Sequence, residues 1–123
     1  MPKLILIRGL PGSGKSTKAR GYSAIHLEAD MYFLNDDGEY QFDPLKLPQA
    51  HQWCQNQAEQ YLKQGEDVVV SNTFVKQWEM TFYRKLAKRY KAQLIVEVCR
   101  GQYQNIHGVS DDVIKRMKRD WQE

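Results

Sequence analysis

Short apolar runs, partly β-branched, recur along this chain, and stretches with helical spacing separate them. The first run, Leu4 to Ile7, is unbroken and ends at Arg8-Gly9. Such a run predicts a strand buried on both faces, as in a parallel sheet. Ser16 to Tyr22 follows as a short helix with Gly21 near its end, and Ala24 to Glu28 reads as a second short strand. Ala29 to Leu47 is the least regular part. There Asn35-Asp36-Asp37-Gly38 is a turn signal flanked by the aromatics Tyr32, Phe33, Tyr40 and Phe42.

Regular patterning returns at Pro48, in a position where a first helical turn accepts proline. Ala50, Trp53, Cys54, Ala58, Tyr61 and Leu62 recur at helical spacing, and Gly65 ends that helix. Asp67 to Asn72 contains the buried-strand run Val68-Val69-Val70. Trp78 to Tyr90 predicts a helix with Phe82, Leu86 and Tyr90 on one face. Ala92 to Val98 holds a fourth strand, Leu94-Ile95-Val96, and Cys99 to Val109 reads as a polar, mobile segment. Ser110 is a good N-cap, with Asp111 and Asp112 at the positive end of a last helix whose apolar stripe is Val113, Ile114, Met117 and Trp121. Strands alternating with helices predict a three-layer parallel α/β fold of four to five strands, with ligands beyond the carboxyl ends of the strands.

Composition narrows this little. The 123 residues are of single-domain size, and the whole chain reads as one domain, 1–123. The formal net charge of +3 permits contact with nucleic acid without arguing for it. Cys54 and Cys99 lie far apart and read as reduced, half-buried thiols of a cytoplasmic protein. The apolar run at the N-terminus is too short for a signal peptide or a membrane span. No His/Cys/carboxylate spacing suggests a structural zinc site.

The strongest chemical signal lies directly after the first strand. Gly9-Leu10-Pro11-Gly12-Ser13-Gly14-Lys15-Ser16 matches the P-loop (Walker A) pattern in full. Glycines let the backbone take positive φ and approach phosphate oxygens, and successive N–H groups form an anion nest. Lys15 places its ammonium on the β- and γ-phosphates, Ser16 offers a hydroxyl to Mg²⁺, and Thr17 adds an α-phosphate contact. The pattern specifies nucleotide phosphate but neither base nor acceptor.

Asp30 stands just beyond the second strand, on the same sheet edge as this loop. An acid there suits a general base or the holder of a metal-bound water; Glu28, two residues earlier, is the second choice. An acid expected at the end of the third strand is missing, and Ser71-Asn72-Thr73 stands there instead. Mg²⁺ would then rest on Ser16, the phosphates and water, with Asp30 as a further candidate. Asn72 and Thr73 either position an acceptor or cap the next helix. Arg100, Arg116 and Arg119 are candidates for a lid arginine. The basic run Arg84 to Lys91 reads as a solvated helix face. Trp53, Trp78 and Trp121 read as core or interface residues, and the exposed loop aromatics Tyr32, Phe33 and Tyr40 could stack on a base, although packing over the core is the commoner use of such rings.

Arg8 to Thr17, then Ala29-Asp30-Met31-Tyr32, then Ser71-Asn72-Thr73, then His107-Gly108-Val109 together resemble the small P-loop kinases related to polynucleotide 5′-hydroxyl kinase. Tyr40-Gln41-Phe42-Asp43 and Trp78-Glu79-Met80 look like the same subgroup. The resemblance covers nearly the whole chain. It implies a four- or five-stranded parallel sheet, ATP and Mg²⁺ as cofactors, and γ-phosphoryl transfer to a hydroxyl, with the acid matching Asp30 as general base and a lid arginine. The acceptor it implies is nucleic acid or a nucleoside. Three positions depart from the family: Phe33 stands where an arginine contacts the acceptor's phosphate, Ser71-Asn72 replaces an acidic segment, and Gln104 replaces the lid arginine ahead of Asn105. These departures keep a second reading open, an ATPase or a nucleotide-binding switch or scaffold without transferase activity.

Overall fold

The computed structural model describes residues 1–103 and 108–123. Gln104, Asn105 and His107, read above as lid positions, lie outside the described residues. Four strands form one sheet among the described residues: β1 (Lys3–Gly9), β2 (Ile25–Leu27), β3 (Val68–Asn72) and β4 (Gln93–Cys99). Their order is β2-β3-β1-β4, and every pairing is parallel. Four helices accompany them: α1 (Lys15–Arg20), α2 (Leu47–Lys63), α3 (Thr81–Arg89) and α4 (Asp111–Asp120).

Side-chain alternation sorts the strands into two faces. Leu4, Leu6, Leu27, Val68 and Val70 pack against Ala50, Cys54, Ala58 and Leu62 of α2 and against Tyr83 and Leu86 of α3. Ile5, Ile7 and Val69 point the other way and meet Ala19 of α1. Because β1 is central and covered on both sides, its apolar run is continuous rather than alternating. The result is the three-layer parallel α/β sandwich expected from the pattern.

Local signals hold at most boundaries. Gly65, with φ of +82°, takes the left-handed turn just beyond α2, and the Ser110 hydroxyl accepts from the Val113 N–H at 3.4 Å at the start of α4. The helix expected from Trp78 instead begins as a 3₁₀ turn over Gln77–Met80 and becomes α-helical at Thr81. Trp78 is thereby turned outward and 72% exposed, not a core residue. The basic positions Arg84, Lys85, Lys88 and Arg89 form the solvated face of α3. Cys54 is fully rather than half buried, and Cys99 is partly buried.

Ala29–Phe33 forms a 3₁₀ turn directly after β2, and a bridge between Leu34 and Tyr40 closes the Asn35–Gly38 hairpin. Phe33 is buried there, not exposed. Its ring centroid lies 5.1 Å from Phe42 and 5.6 Å from Tyr32. Asn72 anchors the turn. Its Oδ1 accepts from the buried Ala29 N–H at 2.9 Å, and its Nδ2 lies 3.9 Å from Cys54 Sγ. Of the two readings of Asn72, helix capping is not what its amide does here: the amide faces α2 and ties the sheet to the turn. Asn72→Ala is expected to cost about 1–3 kcal/mol, because it leaves a buried N–H unpaired. Thermal unfolding measures that loss directly.

Candidate functional site

The phosphate loop has the geometry its glycines predict. Gly12 and Gly14 sit at φ of +80° and +95°, where a side chain would be strained. Gly9 meets a different demand: a Cβ there would fall 2.3 Å from Ser13 Oγ and 2.7 Å from the Cys99 carbonyl oxygen. The loop's entry is fixed by the Gly9 N–H, which donates to the Thr73 carbonyl at 3.2 Å. Lys15 folds over the loop, its Nζ donating to the Leu10 carbonyl at 3.0 Å. Burial lowers the ammonium below its usual pKa, while Glu28, Cys99 and Asp30 pull the other way. Thus both carboxylates of the β2 edge act on the P-loop lysine.

Those two carboxylates have separate partners. The Ser16 hydroxyl donates to Glu28 Oε1. His26 Nε2 lies 3.1 Å from the same oxygen and 2.8 Å from Ser71 Oγ. Burial would raise the Glu28 pKa, but hydrogen bonds from His26 and Ser16, the charge of His26 and the Ser71 hydroxyl outweigh it and hold it at about 2. Glu28 is therefore an anion at neutral pH. Asp30, on the 3₁₀ turn, accepts from the Tyr40 hydroxyl at 3.1 Å. Burial and the nearby Asp30 charge push the Tyr40 phenol up to about 12. The Ser16 contact thus goes to Glu28, the residue ranked second in the sequence. The signal for it was the strand alternation that puts His26 and Glu28 on one face.

The described residues directly after β4 are pinned to the phosphate loop: the Gly101 N–H donates to the Ser13 carbonyl at 3.2 Å and the Tyr103 N–H to the Gly12 carbonyl at 2.7 Å. Beside it opens a cleft of about 350 Å³ between the loop and α4, lined by Leu10, Pro11, Tyr103, Ile114, Lys115 and Lys118. The arginines singled out in the sequence do not line it. Arg100 pairs with Glu123 at 2.7 Å, Arg119 with Asp120 at 3.4 Å, and Arg116 is exposed on α4. The cations beside the cleft are Lys115 and Lys118 of α4.

A family model described as an AAA domain matches residues 4–105. The chain belongs to this AAA-domain family. Its Gly9–Ser16 segment is a P-loop pattern, and solved structures share its fold. A chain from a Pnkp1/Rnl/Hen1 complex superposes with a TM-score of 0.66 at 21% identity, over 89% of this chain and 43% of that one. The APS kinase CysC of Mycobacterium tuberculosis, solved with AMPPNP and APS, gives 0.59 at 20% identity, over 80% and 62%. In sequence the domain is 38% identical to human NEDD4-binding protein 2 over 137 residues, which span 97% of this chain and 8% of that protein. Among the described residues of this AAA domain, no helix is long and apolar enough to cross a membrane.

Proposed function

We propose that this AAA domain, acting as one unit over residues 1–123, is a Mg²⁺-ATP-dependent kinase. It would transfer the γ-phosphoryl group to a hydroxyl of a nucleoside- or polynucleotide-like acceptor. The observation that supports the reading is the position of Asp30 on the 3₁₀ turn just past the carboxyl end of β2, the sheet edge at which the phosphate loop leaves the parallel strand β1. In the proposed reaction the loop amides of Gly9 to Thr17 and Lys15 hold the phosphates. Ser16, whose hydroxyl is already oriented by an anionic carboxylate, offers the hard oxygen donor that suits Mg²⁺. When bound, Mg²⁺ supplies charge neutralisation on the β- and γ-phosphates. Asp30 accepts the proton of the acceptor hydroxyl, and the Tyr40 hydroxyl orients its carboxylate. Lys115 and Lys118 border the cleft where a lid cation is needed. The free thiols Cys54 and Cys99 suit a cytoplasmic setting for this chemistry.

Asp30→Asn is expected to bind ATP like the wild type and to lose phosphoryl transfer by about two to four orders of magnitude. The measurement uses γ-labelled ATP with 5′-hydroxyl RNA, 5′-hydroxyl DNA, nucleosides and a small sugar. Full transfer in the variant would remove Asp30 as base. A second reading, an ATPase or nucleotide-binding switch, draws on Phe33 being buried in the aromatic cluster and on Arg100 being paired with Glu123. Phosphate release without any labelled acceptor would favour it.

A further inference from the structure

The third strand of a P-loop protein ordinarily ends in an acid that works with the loop Ser or Thr to hold Mg²⁺. Here that strand ends in Ser71-Asn72, and neither side chain carries charge. The neighbouring strand supplies a carboxylate in the same region. β2 pairs with β3 in parallel through Leu27 and Val70, so Glu28 and Ser71 are each one residue beyond the last pair. His26 bridges them, with its Nε2 within hydrogen-bond distance of both. The Ser16 hydroxyl donates to Glu28, and the Glu28 side chain is only 13% exposed.

We propose that Glu28 replaces the absent β3 acid: it accepts the hydrogen bond of the Ser16 hydroxyl and faces the water shell of the nucleotide-bound cation, with His26 and Ser71 holding it in place. This rests on the nucleotide-binding part of the function proposed above. A hydroxyl that ligates a cation through a lone pair must give its hydrogen to an acceptor, and Glu28 is that acceptor. No group of three or more His, Cys, Asp or Glu among the described residues is arranged to hold a metal ion by itself. In the proposed arrangement the cation is held by phosphate oxygens of the nucleotide and by Ser16, with the Glu28 carboxylate behind it. Asp30 accepts a hydrogen bond from Tyr40 in the hairpin, whereas the Ser16 hydroxyl donates to Glu28.

The test reads metal binding and needs no turnover. Affinity for a non-hydrolysable ATP analogue is measured by calorimetry without metal, with Mg²⁺ and with Mn²⁺, and bound Mn²⁺ is followed by electron paramagnetic resonance. In Glu28→Gln, Mn²⁺ affinity of the protein–analogue complex is expected to fall about tenfold or more. Metal-free analogue affinity should stay level or rise, because a negative charge beside Lys15 has gone. Adding Ser71→Asp to Glu28→Gln returns the carboxylate to the end of β3 and should restore most of the metal dependence, which repair of a merely structural defect would not do. Should Glu28→Gln fail to fold, Glu28→Asp keeps the charge, withdraws it by one methylene and should show a smaller loss of the same kind.

Unchanged Mn²⁺ affinity in Glu28→Gln overturns the proposal, as does a loss that appears in Asp30→Asn instead. A wild type that binds the analogue equally well with and without metal overturns it while leaving nucleotide binding intact. A wild type that binds no analogue at all overturns both.

Discussion

Lys15→Ala is expected to abolish phosphoryl transfer and to weaken ATP binding by roughly 100-fold or more. An ammonium on two phosphates makes charge-assisted contacts in a partly desolvated site, and their loss amounts to about 3 kcal/mol. The fold should survive. Burial already disfavours the Lys15 charge, so removing it relieves a desolvation cost. Against that, Glu28 and Asp30 lose a neighbouring cation. The two terms oppose, and the melting temperature should move by only a few degrees. Titration calorimetry with ATP and a thermal melt separate the effects. A variant with unchanged ATP affinity would sink the nucleotide-binding reading, and a collapsed fold would show Lys15 to be structural first.

Arg8→Ala should have the opposite signature, a large loss of stability. Arg8 is 2% exposed although it ends the central strand. Its Nε and Nη2 donate to the Phe74 carbonyl at 3.0 and 2.7 Å, and Nη2 also reaches the carbonyls of Val75 at 3.3 Å and Gln122 at 2.5 Å. The guanidinium carbon lies 4.2 Å from the centroid of the Trp121 ring. One side chain thus fastens the segment after β3 to the residues after α4, beside the phosphate loop. Alanine would leave several carbonyls poorly paired, at about 1–3 kcal/mol each before relaxation, and would remove a cation–π contact worth about 1–2 kcal/mol. The terms are not additive, so a net loss of roughly 3–5 kcal/mol is expected. For a domain of this size that lowers the melting temperature by about 10–20 °C. Trp121 emission should shift to the red as its neighbour leaves. Arg8→Lys should recover little, because an ammonium cannot reproduce the planar fork. A change under about 3 °C would mean that water or another donor satisfies those carbonyls.

Much of the fold was legible because its signals are local. The unbroken Leu4–Ile7 run marked a central parallel strand, Val68-Val69-Val70 marked its neighbour, and Gly65 and Ser110 marked helix ends through their own backbone chemistry. The phosphate loop was legible for the same reason: its glycines, Lys15 and Ser16 lie within a few residues, and their jobs follow from backbone reach and charge. Trp78, read as core or interface, and Phe33, read as a ring that stacks on a base or packs over the core, were left open by the pattern because exposure depends on what packs over a ring. Trp78 sits on a 3₁₀ turn that swings it outward, and Phe33 is enclosed by a hairpin that closes on itself. Asn72 reads from the sequence as positioning an acceptor or capping the next helix, and pleat alternation sends its amide to the α2 face, where it does not cap that helix.

The sequence by itself determined a parallel α/β domain and its phosphate-binding loop, since both are written in contiguous residues whose periodicity and backbone freedom need no distant partner. Only the tertiary structure decided which partner each acid meets. Placing β2 beside β3 brings Glu28 to Ser16, 12 positions away in the chain, and His26 to Ser71, 45 away. The hairpin gives Asp30 to Tyr40, and the tail carries Gln122 and Trp121 to Arg8. Strand order and side-chain direction set these pairings, and they arise only when the sheet assembles.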